Sequence, residues 1–152
     1  MRSFTTKLIY NHLPTLHRQY KWKQSPSPTC PLCNRAKDDE EHMFQCSHVD
    51  MQTFRRQQLK KIRDELSEMG TSPFLQRHIM RILLQWTNGF SVPSIPVCES
   101  NSEACHAVNE QCTLGPLNMM KGVLVWRLGK AQQAYYTSQN TSDQKDQLGQ
   151  EK

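Results

Sequence analysis

The chain contains 152 residues, of which 36% are hydrophobic, and it carries a formal net charge of +5. Its mean hydropathy is -0.74, and no stretch approaches the roughly 20 apolar residues of a membrane span. The N-terminus also lacks the apolar block and cleavage site of a secretory signal. We therefore expect an intracellular, basic protein that does not enter a membrane, and these features do not separate nucleus from cytoplasm.

The spacing of apolar residues predicts a mostly α-helical fold. Residues 3–13 place apolar side chains on one helical face, and Pro14 ends that segment. A proline-rich loop follows at residues 24–31. The next predicted helix runs from about residue 50 to 69, with Gly70 as its stop. Its apolar face contains Met51, Phe54, Ile62, Leu66 and Met69, with Leu59 at the edge.

Two further helices are predicted in the second half of the chain. Pro73 begins one, whose apolar face contains Phe74, His78, Ile79, Ile82, Leu83 and Trp86. Residues 88–103 are predicted to be a polar linker. The last helix is expected from about Pro116 to Tyr136, with Leu117, Met120, Leu124, Leu128, Ala131 and Tyr135 as its stripe. We thus predict a small helical module at 1–66, a helical region at 67–138 and a disordered tail at 139–152.

Positive charge is concentrated near the N-terminus. Residues 1–37 contain seven Lys/Arg and no acidic residue, and residues 51–63 contain five Lys/Arg and no acidic residue. Residues 38–50, between them, contain five acidic residues and no Lys/Arg. Two basic segments close together suit a polyanion such as RNA or DNA, although solvated helix surfaces also carry such charges. The candidate phosphate contacts are Arg18, Lys21, Lys23, Arg55, Arg56, Lys60, Lys61 and Arg63.

The clearest chemical signal is a set of four metal ligands, namely Cys30, Cys33, His42 and Cys46. The two cysteines of the CxxC pair fit a tight turn, and the histidine and last cysteine are four residues apart, on one face of a helical turn. Three thiolates and an imidazole form the closed tetrahedral set of a structural zinc site. We therefore expect one structural Zn²⁺, so that the module at 1–66 is a zinc-stapled helical module. We expect no enzymatic activity, because a catalytic zinc needs an open position. Arg35 and Lys37 are expected to moderate the net negative charge.

Other candidates carry weaker signals. His48 is a less suitable ligand than His42 because it lies after Cys46. A second group, Cys98, Cys105, His106 and Cys112, lacks a CxxC pair, and we expect its cysteines to be unligated. Trp22 is expected to cover the metal site in preference to stacking on bases beside Tyr20. Trp86 and Trp126 are expected in the core.

The run Leu13-Pro14-Thr15, Trp22, the CPLC motif and the segment EHMFQC together resemble the zinc-binding region of non-LTR retrotransposon reverse transcriptases. The resemblance covers about residues 7–64. It implies zinc ligation by the four residues above and a role in binding template RNA or target DNA. Asp38 and Asp39 stand where that family usually has Glu-Thr, which is expected to weaken a local helix cap. No paired-aspartate polymerase motif of the Tyr-x-Asp-Asp type is present.

The resemblance therefore implies a stand-alone, non-catalytic remnant of a reverse transcriptase that binds nucleic acid. An alternative hypothesis is a protein-interaction module in which zinc only stabilises the scaffold. A decayed fragment without function is a further alternative.

Overall fold

The computed structural model describes residues 4–90 and 102–149, with side chains at residues 6–90 and 102–141. Within these ranges the protein is mostly α-helical, as the sequence predicts, and an isolated antiparallel bridge joins Thr29 to Lys37. The helices are α1 (Phe4–Ile9), α2 (Leu16–Lys21), α3 (Glu40–Gln45), α4 (Val49–Glu68), α5 (Pro73–Thr87), α6 (Glu103–Leu114), α7 (Pro116–Met120) and α8 (Trp126–Gly149).

Helix α5 is the centre of the fold, since it packs against α3, α4, α6 and α7. The larger apolar cluster joins α5 to α6 and α8, and its buried members are Leu75, Ile82, Ala107, Val108, Leu128 and Ala131. A smaller cluster of Leu59, Met80 and Leu83 joins α4 to α5. Burial of these side chains is the main source of stability in this half of the molecule.

Helix α4 ends at Glu68, close to the predicted stop at Gly70, which has a φ of 65°. An L side chain is strained at this φ, so glycine is the suitable residue. The Tyr136 hydroxyl of α8 donates a hydrogen bond of 2.6 Å to the Met69 carbonyl. The end of α4 is thereby attached to α8.

Helix α6 is not among the predicted elements, although it contributes some of the most buried side chains in the core, Ala107 and Val108. Small and polar residues dominate its sequence, so its apolar periodicity is weak. The helix begins after Ser102, whose hydroxyl accepts a hydrogen bond of 3.3 Å from the Cys105 backbone N–H. Of the predicted linker at 88–103, residues 91–101 lie outside the described part of the chain.

The single helix predicted from Pro116 to Tyr136 is wrong, because residues 121–125 separate α7 from α8. Gly122 has a φ of 79° in this break. The buried Gln111 side chain of α6 binds the exposed backbone there: its amide donates to the Val123 carbonyl, and its Oε1 accepts from the Val125 N–H at 2.9 Å. One buried side chain thus replaces the helical hydrogen bonds that the break removes.

Helix α8 continues to Gly149, past the predicted end and into the segment assigned to a tail, while residues 150–152 lie outside the described part. Four side chains assigned to apolar faces are largely exposed instead: Phe54, Met69, Leu124 and Trp126. Among the described helices, none is both long and apolar enough to cross a membrane.

Candidate metal centre

Cys30, Cys33, His42 and Cys46 lie together, with their ligand atoms all within 4.8 Å of one another. The Cys30 and Cys46 Sγ atoms are 3.9 Å apart, and the Cys33 Sγ is 3.3 Å from His42 Nε2. Two thiolates on one zinc at Zn–S of about 2.3 Å are about 3.8 Å apart in a tetrahedron. The four side chains are therefore spaced to hold a single metal ion. Cys30 and Cys46 are buried, and Cys33 and His42 are half-buried.

The first two ligands lie on a tight turn that folds back on itself. The Cys30 N–H donates to the Ala36 carbonyl at 2.8 Å, and the Asn34 N–H donates to the Cys30 carbonyl at 2.9 Å. A hydrogen bond from the Arg35 backbone N–H is the largest cause that lowers the pKa of the Cys33 thiol to about 6. The turn thus favours the thiolate form that a metal requires.

The other two ligands are placed by α3. The Asp39 carboxylate accepts a hydrogen bond of 2.8 Å from the His42 N–H and so caps this helix. Cys46 is the first residue after the helix, which puts it one turn beyond His42. Burial raises the pKa of the Cys46 thiol, so its thiolate needs a compensating positive charge.

Arg55 is half-buried, unlike the exposed Arg56 that follows it on α4. Burial lowers its pKa, and its interaction with Cys46 acts in the opposite direction. Its Nη1 is fully buried and has no hydrogen-bond partner among the described residues. That Arg55 contacts phosphate stays a prediction, and its guanidinium also interacts with the Cys46 thiol. Arg35 and Lys37, expected to moderate the negative charge of the site, are exposed.

Helix α2 is attached to the metal-binding loop through Asp38. The Asp38 carboxylate accepts from the Leu16 N–H at 2.8 Å, and its carbonyl accepts from the His17 N–H at 3.1 Å. Arg18 and Glu40 add an ion pair at 3.9 Å. Asp38 and Asp39 therefore bind the starts of two helices, and the expected weakening of a helix cap is not observed.

Trp86 connects the metal region to the helical core. It is 2% exposed, and its ring centroid is 5.5 Å from that of Phe44 on α3. Its indole N–H donates to Glu41 Oε1 at 3.3 Å, while the Gln45 side chain donates to the Trp86 carbonyl at 3.1 Å. The short helix that carries His42 is thus fixed against α5 by one aromatic residue.

Trp22 is more exposed than the sequence analysis predicts. It is 54% exposed, and the neighbouring Tyr20 is 48% exposed. The Arg18 guanidinium lies 5.7 Å from the centre of the Trp22 ring. Lys21 and Lys23, both predicted to contact phosphate, are exposed and alternate along the chain with Tyr20 and Trp22.

The remaining predicted cations divide between two surfaces of α4. Arg56, Lys60 and Arg63 line a groove between α4 and α5. Lys61 is exposed but is absent from that lining, because adjacent residues of a helix point in different directions.

The other cysteines and His48 have different surroundings. His48 caps α4, since its Nδ1 accepts from the Asp50 N–H at 3.3 Å. Cys105 is buried on α6, and burial raises the pKa of the Cys112 thiol to about 11. Cys98 lies outside the described residues. In the part of the chain that the structure describes, the ligand cluster around Cys30 is the one that could hold a metal.

Comparisons with models of protein families, with curated proteins and with solved structures return no match.

Proposed function

We propose that the four ligands hold one structural Zn²⁺ and that the chain is a non-catalytic module that binds RNA or DNA. Three soft thiolates and one imidazole at tetrahedral spacing are the donor set that zinc prefers. Four protein ligands fill the coordination sphere and leave no position for a reactive water. Thiolate ligation also suits a reducing, intracellular compartment.

The main support for this proposal comes from a surface at the end of α2. We call it the α2 surface and define it as Tyr20, Lys21, Trp22 and Lys23. Two large aromatic rings are half exposed here beside two exposed lysines. Proteins that bind single-stranded nucleic acid combine these groups, since bases stack on the rings and phosphates pair with the cations. The α2 surface therefore supplies groups for both kinds of interaction within four consecutive residues.

The metal and the α2 surface are structurally linked. Helix α2 has six residues, too few for a helix to be stable in water without tertiary contacts. Its first N–H groups are bound by Asp38, which lies between the CxxC turn and α3. Metal binding would fix that loop and thereby the α2 surface.

The resemblance to retrotransposon reverse transcriptases supports the same proposal and adds an origin to it. The residues of the Leu-Pro-Thr run have local roles: Leu13 is buried, and the Thr15 hydroxyl accepts from the Arg18 N–H to cap α2. The run thus positions the α2 surface. We propose that the chain is related to the zinc-binding region of these enzymes and retains its ability to bind nucleic acid.

The test is fluorescence anisotropy of the full zinc-loaded chain with a labelled single-stranded RNA across a salt series. Replacement Trp22→Ala is expected to weaken binding by about 1–3 kcal/mol, the contribution of one stacked base. The double variant Lys21→Ala/Lys23→Ala is expected to lower the salt slope by about 0.7 for each phosphate that the chain no longer neutralises. A parallel series with single-stranded DNA compares the two nucleic acids.

Trp126→Ala is the matched control. Trp126 is 59% exposed, and Lys130 lies 4.2 Å from its ring centre, but it belongs to α8. The proposal expects little effect from this variant. Equal losses of affinity in both tryptophan variants, or no binding at low salt with zinc present, would contradict the proposal.

A further inference from the structure

A second surface has a different composition from the α2 surface. An open groove of about 680 Å³ lies between helices α4 and α5, and we call it the α4–α5 groove. The Gln76 side chain of α5 donates to the Arg63 carbonyl and to the Ser67 hydroxyl of α4, at 3.1 and 2.8 Å. These bonds fix the spacing of the two helices near one end of the groove.

The floor of the groove is aliphatic. It is formed by Leu59, Pro73, Met80 and Leu84. Leu84 is 46% exposed, although the other leucines of its helix, Leu75 and Leu83, are buried. Leu59 and Met80 are each 9% exposed, so Leu84 and the exposed Pro73 supply the accessible apolar surface of this floor. An apolar floor with charged edges is typical of an interaction site.

The edges of the groove carry five cations. Arg56, Lys60 and Arg63 come from α4, and Arg77 and Arg81 come from α5. None of the described residues that line the groove is acidic; outside the lining, Asp64 lies 3.6 Å from the Arg63 guanidinium in an exposed pair. Like charges on both sides of one groove repel each other, and an anionic ligand would relieve that repulsion.

The lining also indicates which anionic ligand fits. No aromatic ring is among the described lining residues, so the groove lacks the stacking surface that single-stranded nucleic acid uses. Aliphatic side chains between two rows of cations match a helix with an apolar stripe and acidic flanks. The lining residues of α5 run from Pro73 to Gln85, a length of about 18 Å, or roughly three turns of a bound helix.

We propose that the α4–α5 groove binds an acidic amphipathic helix of a partner protein. The apolar stripe of that helix lies on Met80 and Leu84, and its carboxylates pair with the arginines of both edges. This site is separate from the α2 surface and adds a protein partner to the proposed nucleic-acid binding. Arg77 and Arg81 lie outside the basic segments that the charge pattern of the sequence indicates.

The probe is a labelled 16-residue peptide with leucines at helical spacing and glutamates on both flanks, added to the full zinc-loaded chain. A peptide of the same composition with scrambled order is the control for charge alone. The proposal expects the amphipathic peptide to bind at least about tenfold more tightly than the scrambled one. Arg77→Glu/Arg81→Glu is expected to weaken binding by about tenfold or more, and Leu84→Asp is expected to weaken it as well.

The matched control is Lys61→Glu/Lys130→Glu, which reverses two exposed charges outside the groove lining and is expected to change peptide affinity by less than about threefold. A peptide with lysine in place of glutamate should prefer the Arg77→Glu/Arg81→Glu variant over the parent chain. Circular dichroism checks folding, and Arg77→Ala/Arg81→Ala replaces the reversal if that variant does not fold.

Three results would overturn the proposal: equal binding of the amphipathic and scrambled peptides, no effect of the groove variants, or binding of single-stranded RNA that these variants abolish. The last result would make the groove a nucleic-acid site. Since Trp22→Ala reports on the α2 surface alone, failure of either proposal is distinguishable from failure of the other.

Discussion

The metal region, residues 13–46, and the helical core of α5, α6 and α8 are stabilised in different ways. In the metal region the buried apolar residues are Leu13 and two metal-ligand cysteines, and α2 and α3 have six residues each. In the core, fully buried side chains include Trp86, Ile82 and Val108. The first region depends on ligand and backbone hydrogen-bond geometry, and the second depends on apolar packing.

The two regions are joined by few but specific contacts. Trp86 lies in the core and binds α3 through Glu41, Gln45 and Phe44. The core therefore supplies a rigid base for a short helix that has little apolar surface of its own. We expect the two regions to respond differently to metal, to core mutation and to pH.

The largest expected effect is metal removal. Chelation or Cys46→Ser should eliminate amide-exchange protection in α2 and α3, because structural zinc contributes on the order of 10–16 kcal/mol in finger peptides. Protection in α5, α6 and α8 should persist. The C-terminal half of α4 should also remain protected, because Leu59 packs on α5. The zinc-dependent part is therefore expected to be shorter than the predicted module at 1–66. Unchanged exchange after confirmed metal loss would contradict this difference.

A core substitution should have the opposite pattern. Ile82→Ala removes a buried side chain of the larger apolar cluster and is expected to cost about 2–5 kcal/mol in the free energy of unfolding. Denaturant unfolding measures that loss, and metal titration of the folded variant should give a nearly unchanged affinity. A large loss of metal affinity at concentrations where the core is folded would show that the two regions are not separable.

A smaller effect is expected at the connection between the regions. Trp86→Phe removes the indole donor of the hydrogen bond to Glu41, which should cost about 1–2 kcal/mol including the loss of packing. A double-mutant cycle with Glu41→Ala, which removes the acceptor, should give a coupling energy of about 0.5–1.5 kcal/mol. Additive single and double variants would mean that this hydrogen bond does not connect α3 to the core.

The smallest expected effect is the pH dependence of His78. Burial, and then Arg81 and Arg77, lower its pKa below its ordinary value of 6.5. Because the unfolded chain binds a proton here more readily than the folded chain, the free energy of unfolding should decrease as pH falls below about 6.5.

Replacement His78→Leu should reduce that decrease. Metal release at low pH acts on both proteins, so the comparison is between the slopes of their unfolding free energy against pH. Identical slopes for parent and His78→Leu would refute the assignment.

The ligand set can be predicted from the sequence because it is local. The CxxC pair and the histidine four residues before Cys46 occupy short turns whose geometry follows from spacing alone. The starts of α4 and α5 are likewise marked by their apolar periodicity and by Pro73. The proposal that zinc is the metal depends on the same residue types.

Other features depend on tertiary contacts that spacing does not encode. Arg55 has the same local signature as Arg56, but α4 turns it toward Cys46. Helix α6 has small apolar residues, and its position is fixed by Gln111 bonding the α7–α8 break. Trp22 and Trp126 are exposed for the same kind of reason, since an aromatic residue on a helix is buried only if another element packs over it.

The most direct test of the metal centre is a titration of the metal-free chain with Co²⁺, followed by absorption spectroscopy. We predict one equivalent bound, with the intense visible bands of a tetrahedral ion and a thiolate charge-transfer band, both displaced by one equivalent of Zn²⁺ and absent in Cys46→Ser. Weak binding with the faint spectrum of an octahedral ion, or a spectrum unchanged by Cys46→Ser, would contradict the four-ligand site.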